Sequence, residues 1–172
     1  MTFKEKCNCK YIHNQQNRVG LDVNIDADLR TWLNEIGNST VAIDWSSEHL
    51  YLSGLKSINA FQEGYAGNHW KSSWVVFGKW IGDPIIYNIE NGEILTSMHG
   101  IGEWNPYPIS PTLETFDLIL FTWCSLHYDK YNGVIYDDDF GILQEFIVDF
   151  RKNLLKIINI EYVNGFLKFI NS

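Results

Sequence analysis

The first long pattern in the chain is an alternation of apolar and polar residues, followed by a helical spacing. Residues 19–25 alternate strictly, which predicts a half-buried strand. The next apolar residues are three and four positions apart, as on one face of a helix: Leu29, Trp32, Leu33 and Ile36. Asp26 or Asp28 is placed to cap this helix and Gly37 to end it, so a short amphipathic helix is predicted.

Shorter apolar segments then predict most of a sheet. Residues 41–45 alternate again, residues 50–52 form a brief apolar stretch, and residues 74–77 are β-branched and aromatic. Between them, the apolar residues of segment 57–65 have helical spacing. The expected order is strand, strand, short helix and strand.

A hairpin is the next prediction. Two apolar runs, residues 84–90 and 93–98, are separated by Asn91-Gly92. Asn-Gly between apolar runs is typical of a two-residue type I′ turn, in which both central residues have positive φ. We therefore expect a meander of strands in this part of the chain.

The last third has the spacing of long helices. Ser110 and Pro111 are suited to be a cap followed by proline at the first helical position, and this helix is expected to end at Asn132-Gly133. Its apolar face contains Leu113, Phe116, Leu120, Trp123, Cys124 and His127. A second helix is predicted from a similar face: Leu143, Phe146, Phe150, Leu154 and Ile157. Residues 161–172 are compatible with a strand or a helix.

Strands in the first two thirds and helices in the last third predict an α+β fold with a mixed, mostly antiparallel sheet and helices packed on one side. A chain of 172 residues suits one domain, residues 1–172. The residues expected to be buried include Trp74, Val76, Phe116, Leu120 and Phe146. Three further tryptophans are assigned to the core by spacing: Trp32, Trp45 and Trp123.

Charge narrows the choice of partner. The chain has 13 Lys and Arg against 21 Asp and Glu, a formal net charge of −8. Nucleic acids and anionic membrane surfaces both attract basic surfaces, so neither is an expected partner. An excess of carboxylates favours a basic protein partner instead.

The cysteines and the N-terminus predict a cytoplasmic protein. Cys7, Cys9 and Cys124 are an odd number with no repeated spacing, which favours reduced thiols over a disulfide framework. The Cys7-x-Cys9 pair would supply only two of the four ligands of a structural zinc site. The chain also begins without an apolar signal region and has no apolar run long enough to cross a bilayer.

Motifs for catalysis are sparse. There is no phosphate-binding loop, dinucleotide motif, nucleophile elbow or zinc-protease helix, and no cofactor or metal is expected. His99 and Glu103 gather near Asp83, Glu90 and Glu93, and a small hydrolase using His99 and Glu103 is one alternative. The other interpretation is that these are turn-forming, solvated residues. His127, on an apolar helix face, is expected to be a hydrogen-bonded core or boundary residue.

A loop-like segment, residues 102–108, contains three candidate binding residues: Glu103, Trp104 and Tyr107. An exposed aromatic residue beside carboxylates is a good interface anchor, because Trp and Tyr dominate binding hot spots. Trp104 is equally suited to covering the end of the sheet.

The run Asp137, Asp138 and Asp139 has three interpretations. It could begin the second long helix, where carboxylates favour the positive end of the dipole. It could contact a basic partner, or bind a metal ion, although no further oxygen ligands follow at loop spacing. Helix start ranks first, partner contact second and metal last.

Residues 49–120 resemble the SUKH superfamily, which includes bacterial immunity proteins of polymorphic toxin systems and fungal regulators of cell-wall glucan synthesis. The similar elements occur in order: the strand and short helix at 50–65, Trp74-Val-Val-Phe-Gly78, Gly82-Asp-Pro-Ile-Ile86, His99-Gly-Ile-Gly-Glu-Trp104 and Leu113-Glu-Thr-Phe-Asp117. The N-terminal third departs from the family pattern. The C-terminal sixty residues are longer and more helical than the corresponding part of the family.

This resemblance implies a non-catalytic α+β scaffold that binds a protein. The expected function is neutralisation of a cognate, basic bacterial toxin encoded nearby, and the alternative within the family is a regulatory scaffold in cell-wall synthesis. Neither the toxin nor the binding face follows from the resemblance.

Overall fold

The sheet is a meander. The computed structural model describes Phe3 and residues 10–12, 23–67 and 69–171. The strands in these ranges are β1 (Lys10–Ile12), β2 (Thr40–Asp44), β3 (His49–Leu52), β4 (Trp74–Trp80), β5 (Asp83–Asn88), β6 (Ile94–Thr96) and β7 (Tyr107–Ser110). They lie in the order β1 to β7, and every neighbouring pair is antiparallel.

Four helices of ten or more residues and one single turn accompany the sheet in the described ranges. They are α1 (Ala27–Ile36), α2 (Ile58–Phe61), α3 (Leu113–Ser125), α4 (Gln144–Leu154) and α5 (Ile160–Ile170). The four longer helices contribute to the main core on one face of the sheet, while α2 places Phe61 on the other. The predicted α+β class with an antiparallel sheet is confirmed.

Alternation along the strands separates the two faces. In β4, Val75 and Phe77 face the long helices, whereas Trp74 and Val76 face away from them. A bulge between Val76 and Gly78 then changes the alternation, so that Trp80 also faces the helices. We call the side with Trp74 and Val76 the open face.

Aromatic side chains fill the space between sheet and helices. Trp45 stacks on Trp123 with ring centroids 3.9 Å apart, and Phe146 and Phe150 meet Trp123 edge to face. The predicted core is confirmed, because Trp74, Val76, Phe116, Leu120 and Phe146 are all buried, as are Trp32, Trp45 and Trp123.

Helix α1 follows its sequence pattern, whereas the described part of the strand predicted before it is not in a strand. Asp26 is the cap, with its side chain accepting a hydrogen bond from Leu29 N at 2.9 Å, and Gly37 ends the helix at φ 117°. Residues 23–25 are not part of a strand, and residues 19–22 lie outside the described ranges. Val23 N instead donates to the side chain of Asn59, so this segment pairs with α2 rather than with a strand.

The β5–β6 hairpin is present, but its turn is longer than predicted. Asn88 N donates to Glu93 O at 2.9 Å, so residues 89–92 form the connection. Within it Gly92 has φ 75°, while Asn91 does not have positive φ. The type I′ prediction was wrong because Asn side chains accept loop N–H groups: Glu90 N donates to Asn88 Oδ1, and Glu93 N to Asn91 Oδ1.

We expect Gly92→Val to destabilise the protein by about 1–3 kcal/mol, since a β-branched residue resists positive φ. A Cβ at this position has its nearest neighbour 3.9 Å away, so the cost is backbone strain and not a clash. The urea unfolding midpoint measures it, and Gly92→Asn is the control because Asn tolerates this conformation. Equal midpoints for the Val and Asn variants would contradict the prediction.

Helix α3 begins two residues later than predicted. Thr112 caps it by accepting a hydrogen bond from Thr115 N, while Ser110 remains the last residue of β7. At its C-terminal end the helix widens into a π-helical turn, Leu126–Lys130, in which Tyr131 N donates to Leu126 O. His127 is buried with Nε2 3.2 Å from Gly133 O, which confirms its assignment as a hydrogen-bonded core residue.

Of the residues left open at the C-terminus, 161–170 belong to a helix that lies very close to the sheet. Helix α5 packs on β7, and a Cβ added to Gly165 would lie 1.9 Å from the carbonyl oxygen of Pro108. A glycine is therefore required at this contact.

The expectation of reduced thiols is wrong for Cys124, which is buried and disulfide-bonded. The possible zinc pair, Cys7 and Cys9, lies outside the described residues. Sequence spacing does not predict such a bond, because tertiary packing decides which cysteines meet. In the ranges described, no helix combines the length and apolar character needed to cross a membrane.

Candidate partner-binding surfaces

The predicted site residues lie in three places. Glu103 and Trp104 belong to the β6–β7 connection, where Trp104 packs on the open face. Tyr107 is in β7 and packs against the main core on the helix side. Asp137, Asp138 and Asp139 lie in the connection between the π-helical turn and α4.

Three connections meet around Trp104. We call this region the three-loop surface: Tyr65 and Trp70, residues 81–83, and residues 98–104. The Tyr65 hydroxyl donates to Gly82 O at 2.9 Å, which joins the first connection to the second. Trp104 Nε1 donates to Ala66 O at 3.3 Å, which joins the third to the first.

The first connection is held on the open face by Gln62. Its side-chain amide donates to Val76 O at 2.7 Å and accepts from Val76 N at 3.0 Å. These bonds pair a side chain with strand backbone next to the β4 bulge. Tyr65 and Trp70, which follow Gln62, are thereby placed over the sheet.

Half-buried aromatic rings form the centre of the three-loop surface. The Trp104 ring lies 5.6 Å from Tyr65 and 5.4 Å from Trp70, measured between centroids. The second and third connections also carry exposed apolar side chains, namely Ile81, Met98 and Ile101, the last 58% exposed. Exposed apolar side chains on loops of the same region are typical of an interaction surface.

His99 pairs with Asp83 and not with Glu103. The buried Asp83 carboxylate accepts the His99 backbone N–H at 2.8 Å and lies 2.7 Å from Nδ1, while 52% of the imidazole side chain is exposed. The ring covers Gly82, where an added Cβ would be 3.0 Å away. This arrangement anchors the third connection to β5.

Glu103, the proposed catalytic partner of His99, is exposed and has a different neighbour. Its carboxylate lies 3.9 Å from Nδ1 of His69, and both side chains are mostly exposed. An ion pair this exposed contributes little to stability. Glu103 is therefore accessible to a binding partner.

Tyr107 is less accessible than the loop residues. Burial, and secondly the negative charge of Asp83, raise the pKa of Tyr107 to about 12. Lys168 of α5 lies over its ring at 4.0 Å from the centroid. These contacts make Tyr107 part of the packing between β7 and α5.

The Asp137–Asp139 run does not begin a helix, so the first-ranked interpretation was wrong. Asp137 Oδ1 accepts hydrogen bonds from Asp139 N at 3.0 Å and Gly141 N at 2.9 Å, which closes a tight turn. Tyr136 and Ile142 form a bridge across this turn, and α4 starts only at Gln144. An aspartate side chain that satisfies nearby backbone N–H groups favours a turn over a helix.

This turn exposes apolar side chains as well as carboxylates. We call residues 134–140 the acidic loop. Phe140 is 68% exposed and Val134 61%, and the ring of Tyr136 stacks on that of Phe140 with centroids 6.5 Å apart. Ile135 is fully buried and fixes the loop to the main core.

Phe140 also has an unusual backbone conformation. Its φ is 63°, a value that costs a bulky residue on the order of 1–3 kcal/mol. Sequence reasoning missed Tyr136 and Phe140. Their signal was available, because neither residue fits the helical spacing that begins at Leu143, and Gly141 marks a turn.

No family model matches the chain, and no curated protein or solved structure matches it. Its function therefore has to be inferred from its own geometry, charge and sequence pattern.

Proposed function

We propose that this chain is a non-catalytic immunity protein of the SUKH type that neutralises a basic toxin by binding to it. The observation that carries the proposal is the acidic loop, which exposes Phe140, Tyr136 and Val134 beside three carboxylates. Exposed aromatic side chains are the residues that a protein partner buries most favourably, and carboxylates around them attract a partner of positive charge.

The distribution of charge supports a basic partner. No Lys or Arg occurs between Lys130 and Arg151, while this interval contains the three aspartates of the loop, Glu145 and Asp149. Asp149 bonds to Lys130 and Tyr131, and these hydrogen bonds lower its pKa. The acidic loop is left with a local negative field that would accelerate encounter with a positive surface.

The segments that carry the family resemblance have the expected kinds of structure. Residues 50–65 contain a strand and a short helix, Gly82 lies in the β4–β5 turn, and α3 begins at Leu113. This agreement supports a SUKH-type scaffold.

The proposal includes the cellular compartment in which the protein acts. An immunity protein of this type would meet its toxin in the cytoplasm, whereas disulfides persist mainly in oxidising compartments. Thiol alkylation of Cys124, with denaturant and reagent added together at lysis so that the buried sulfur is reached, distinguishes the two: full alkylation without reductant fits the cytoplasm, and protection from alkylation favours an oxidising compartment.

Co-expression with the product of the adjacent gene tests the function. We expect growth to be rescued and the two proteins to co-purify. Absence of rescue and of co-purification would contradict the proposal. Hydrolytic activity that disappears in His99→Ala would favour the enzyme alternative.

Neutralising two carboxylates of the acidic loop is expected to slow association. Asp138→Asn with Asp139→Asn keeps Asp137, whose side chain closes the turn. We expect a several-fold lower association rate constant in low salt, with the difference disappearing near 1 M salt, where the screening length is about 3 Å. Stopped-flow association with the co-purified partner measures it.

The matched control removes two exposed charges elsewhere, by Glu35→Gln with Glu48→Gln. If the control slows association as much as the loop variant, net charge and not the acidic loop determines the rate.

Removal of the Phe140 ring is expected to act on dissociation instead. Phe140→Ala should weaken binding by about 2 kcal/mol, roughly thirtyfold, mainly through faster dissociation. Because the ring is mostly exposed, the stability of the free protein should change little. Surface plasmon resonance gives both rate constants, with Leu155→Ala as the control for an exposed apolar side chain elsewhere. Unchanged dissociation of the Phe140 variant would place the contact on another surface.

A further inference from the structure

The chain covers several of its aromatic rings with its own cations. Lys71 lies over Trp74 and Lys79 over Phe61, each 5.4 Å from the ring centroid, and Lys168 lies over Tyr107. In proteins a cation within about 6 Å of a ring face is attracted to its π electrons. Lys130 also lies over Tyr131, 5.5 Å from the ring centroid, so aromatic rings of the described residues already interact with positive charge in four places.

The three-loop surface contains aromatic rings and carboxylates. Two of its three connections contain no Lys or Arg. From residue 80 to residue 129 the sequence contains neither, so residues 81–83 and 98–104 present only negative charge and histidine. Glu103 is exposed beside Trp104, and Glu63 is exposed shortly before Tyr65. The charge of this surface is complementary to a cation from outside.

We propose that the three-loop surface binds an arginine side chain of the basic partner, with its guanidinium stacked on Trp104 and paired with Glu103. This inference rests on the proposed function and names the chemistry of one contact. Arginine fits better than lysine, because a planar guanidinium stacks on a ring and offers two parallel N–H donors to one carboxylate.

The surroundings of Trp104 favour such a contact. The ring is held by Tyr65, Trp70 and the bond to Ala66 O, so little side-chain entropy is lost on binding. The second and third connections expose Ile81, Met98 and Ile101, which a partner would bury together with the guanidinium–carboxylate pair. The exposed His69 neighbour of Glu103 is displaced at little cost.

The test uses the full chain and two probes, oligoarginine and oligolysine peptides of equal length, titrated by calorimetry at physiological ionic strength. We expect tighter binding of the arginine peptide. Glu103→Gln should weaken it about tenfold and remove most of the preference over lysine. Glu90→Gln, which removes an exposed carboxylate in the β5–β6 connection, should change it less than about twofold.

Trp104→Leu keeps apolar bulk but removes the stacking face, and it should also abolish the arginine preference. Its fold is checked by thermal unfolding, and if it does not fold, the comparison of Glu103→Gln with Glu90→Gln decides alone. Equal binding of the two peptides, or a preference that survives in Glu103→Gln, would overturn the proposal. If a variant that has lost the preference for arginine still rescues growth, the inferred arginine contact is wrong, whereas the proposed toxin binding stands.

Discussion

Phe116→Ala is expected to lower the free energy of unfolding by about 3–5 kcal/mol, the range for a large aromatic side chain removed from a core. Phe116 is fully buried between α3 and the sheet, where it meets Phe77 edge to face at 5.6 Å. Truncation removes this contact and leaves a cavity that the neighbouring strands cannot fill by small shifts. Urea unfolding followed by far-UV circular dichroism measures the loss.

The control for this prediction lies two residues further along the same helix. Leu118 is 48% exposed, so Leu118→Ala should change stability by less than about 0.5 kcal/mol. Comparable losses in the two variants would show that helix α3 is rotated relative to the arrangement described above.

Gly165→Ala is expected to destabilise the protein by about 2 kcal/mol or more, although the same change in an ordinary helix stabilises it by roughly 0.5–1 kcal/mol. The added methyl group would meet the carbonyl oxygen of Pro108 at 1.9 Å, and neither backbone can move without separating α5 from β7. Lys168, which lies over Tyr107, would shift with the helix. Thermal unfolding by calorimetry measures the effect.

The expected change in stability is opposite in sign to that of the same substitution in an ordinary helix, which makes Gly165→Ala informative. Asn164→Ala, at the exposed neighbouring position, tests helix propensity without the contact and should be neutral or slightly stabilising. A stabilised Gly165→Ala variant would mean that α5 does not approach β7 as closely as described.

Elements defined by local signals are the ones that sequence predicts well. Helix α1 has an Asp cap, four apolar residues on one face and a terminal glycine, and the structure uses all of them. The segregation of strands from helices likewise predicted the α+β class, because neighbouring segments in this sheet are also neighbours in sequence.

Predictions failed where a local signal had two physical solutions. Ser110 and Thr112 are both suitable caps, and pairing of Ser110 in β7 left the cap to Thr112. In the β5–β6 connection, Asn88 and Asn91 side chains bond to the backbone and favour a longer turn than Asn-Gly alone predicts. These choices depend on strand register, which periodicity does not specify.

The candidate surfaces were predictable in part. Trp104 and Glu103 were identified from residue type and loop context, and Asp137–Asp139 from charge. Tyr65, Trp70, Ile81 and Phe140 were missed because their exposure depends on how separate connections meet. Asp83 was placed near His99 by sequence, but its burial and direct bond to the imidazole follow from the β4–β5 turn.

The meander order of the sheet has a consequence for how the protein reaches its native state. Because each strand pairs with strands adjacent in sequence, the sheet can be assembled stepwise, and three of its connections, β2–β3, β4–β5 and β5–β6, are short loop closures. Such local assembly favours faster folding than a sheet built from distant segments. Under the proposed immunity function, a short interval between synthesis and the folded state would limit the time during which the toxin acts unopposed.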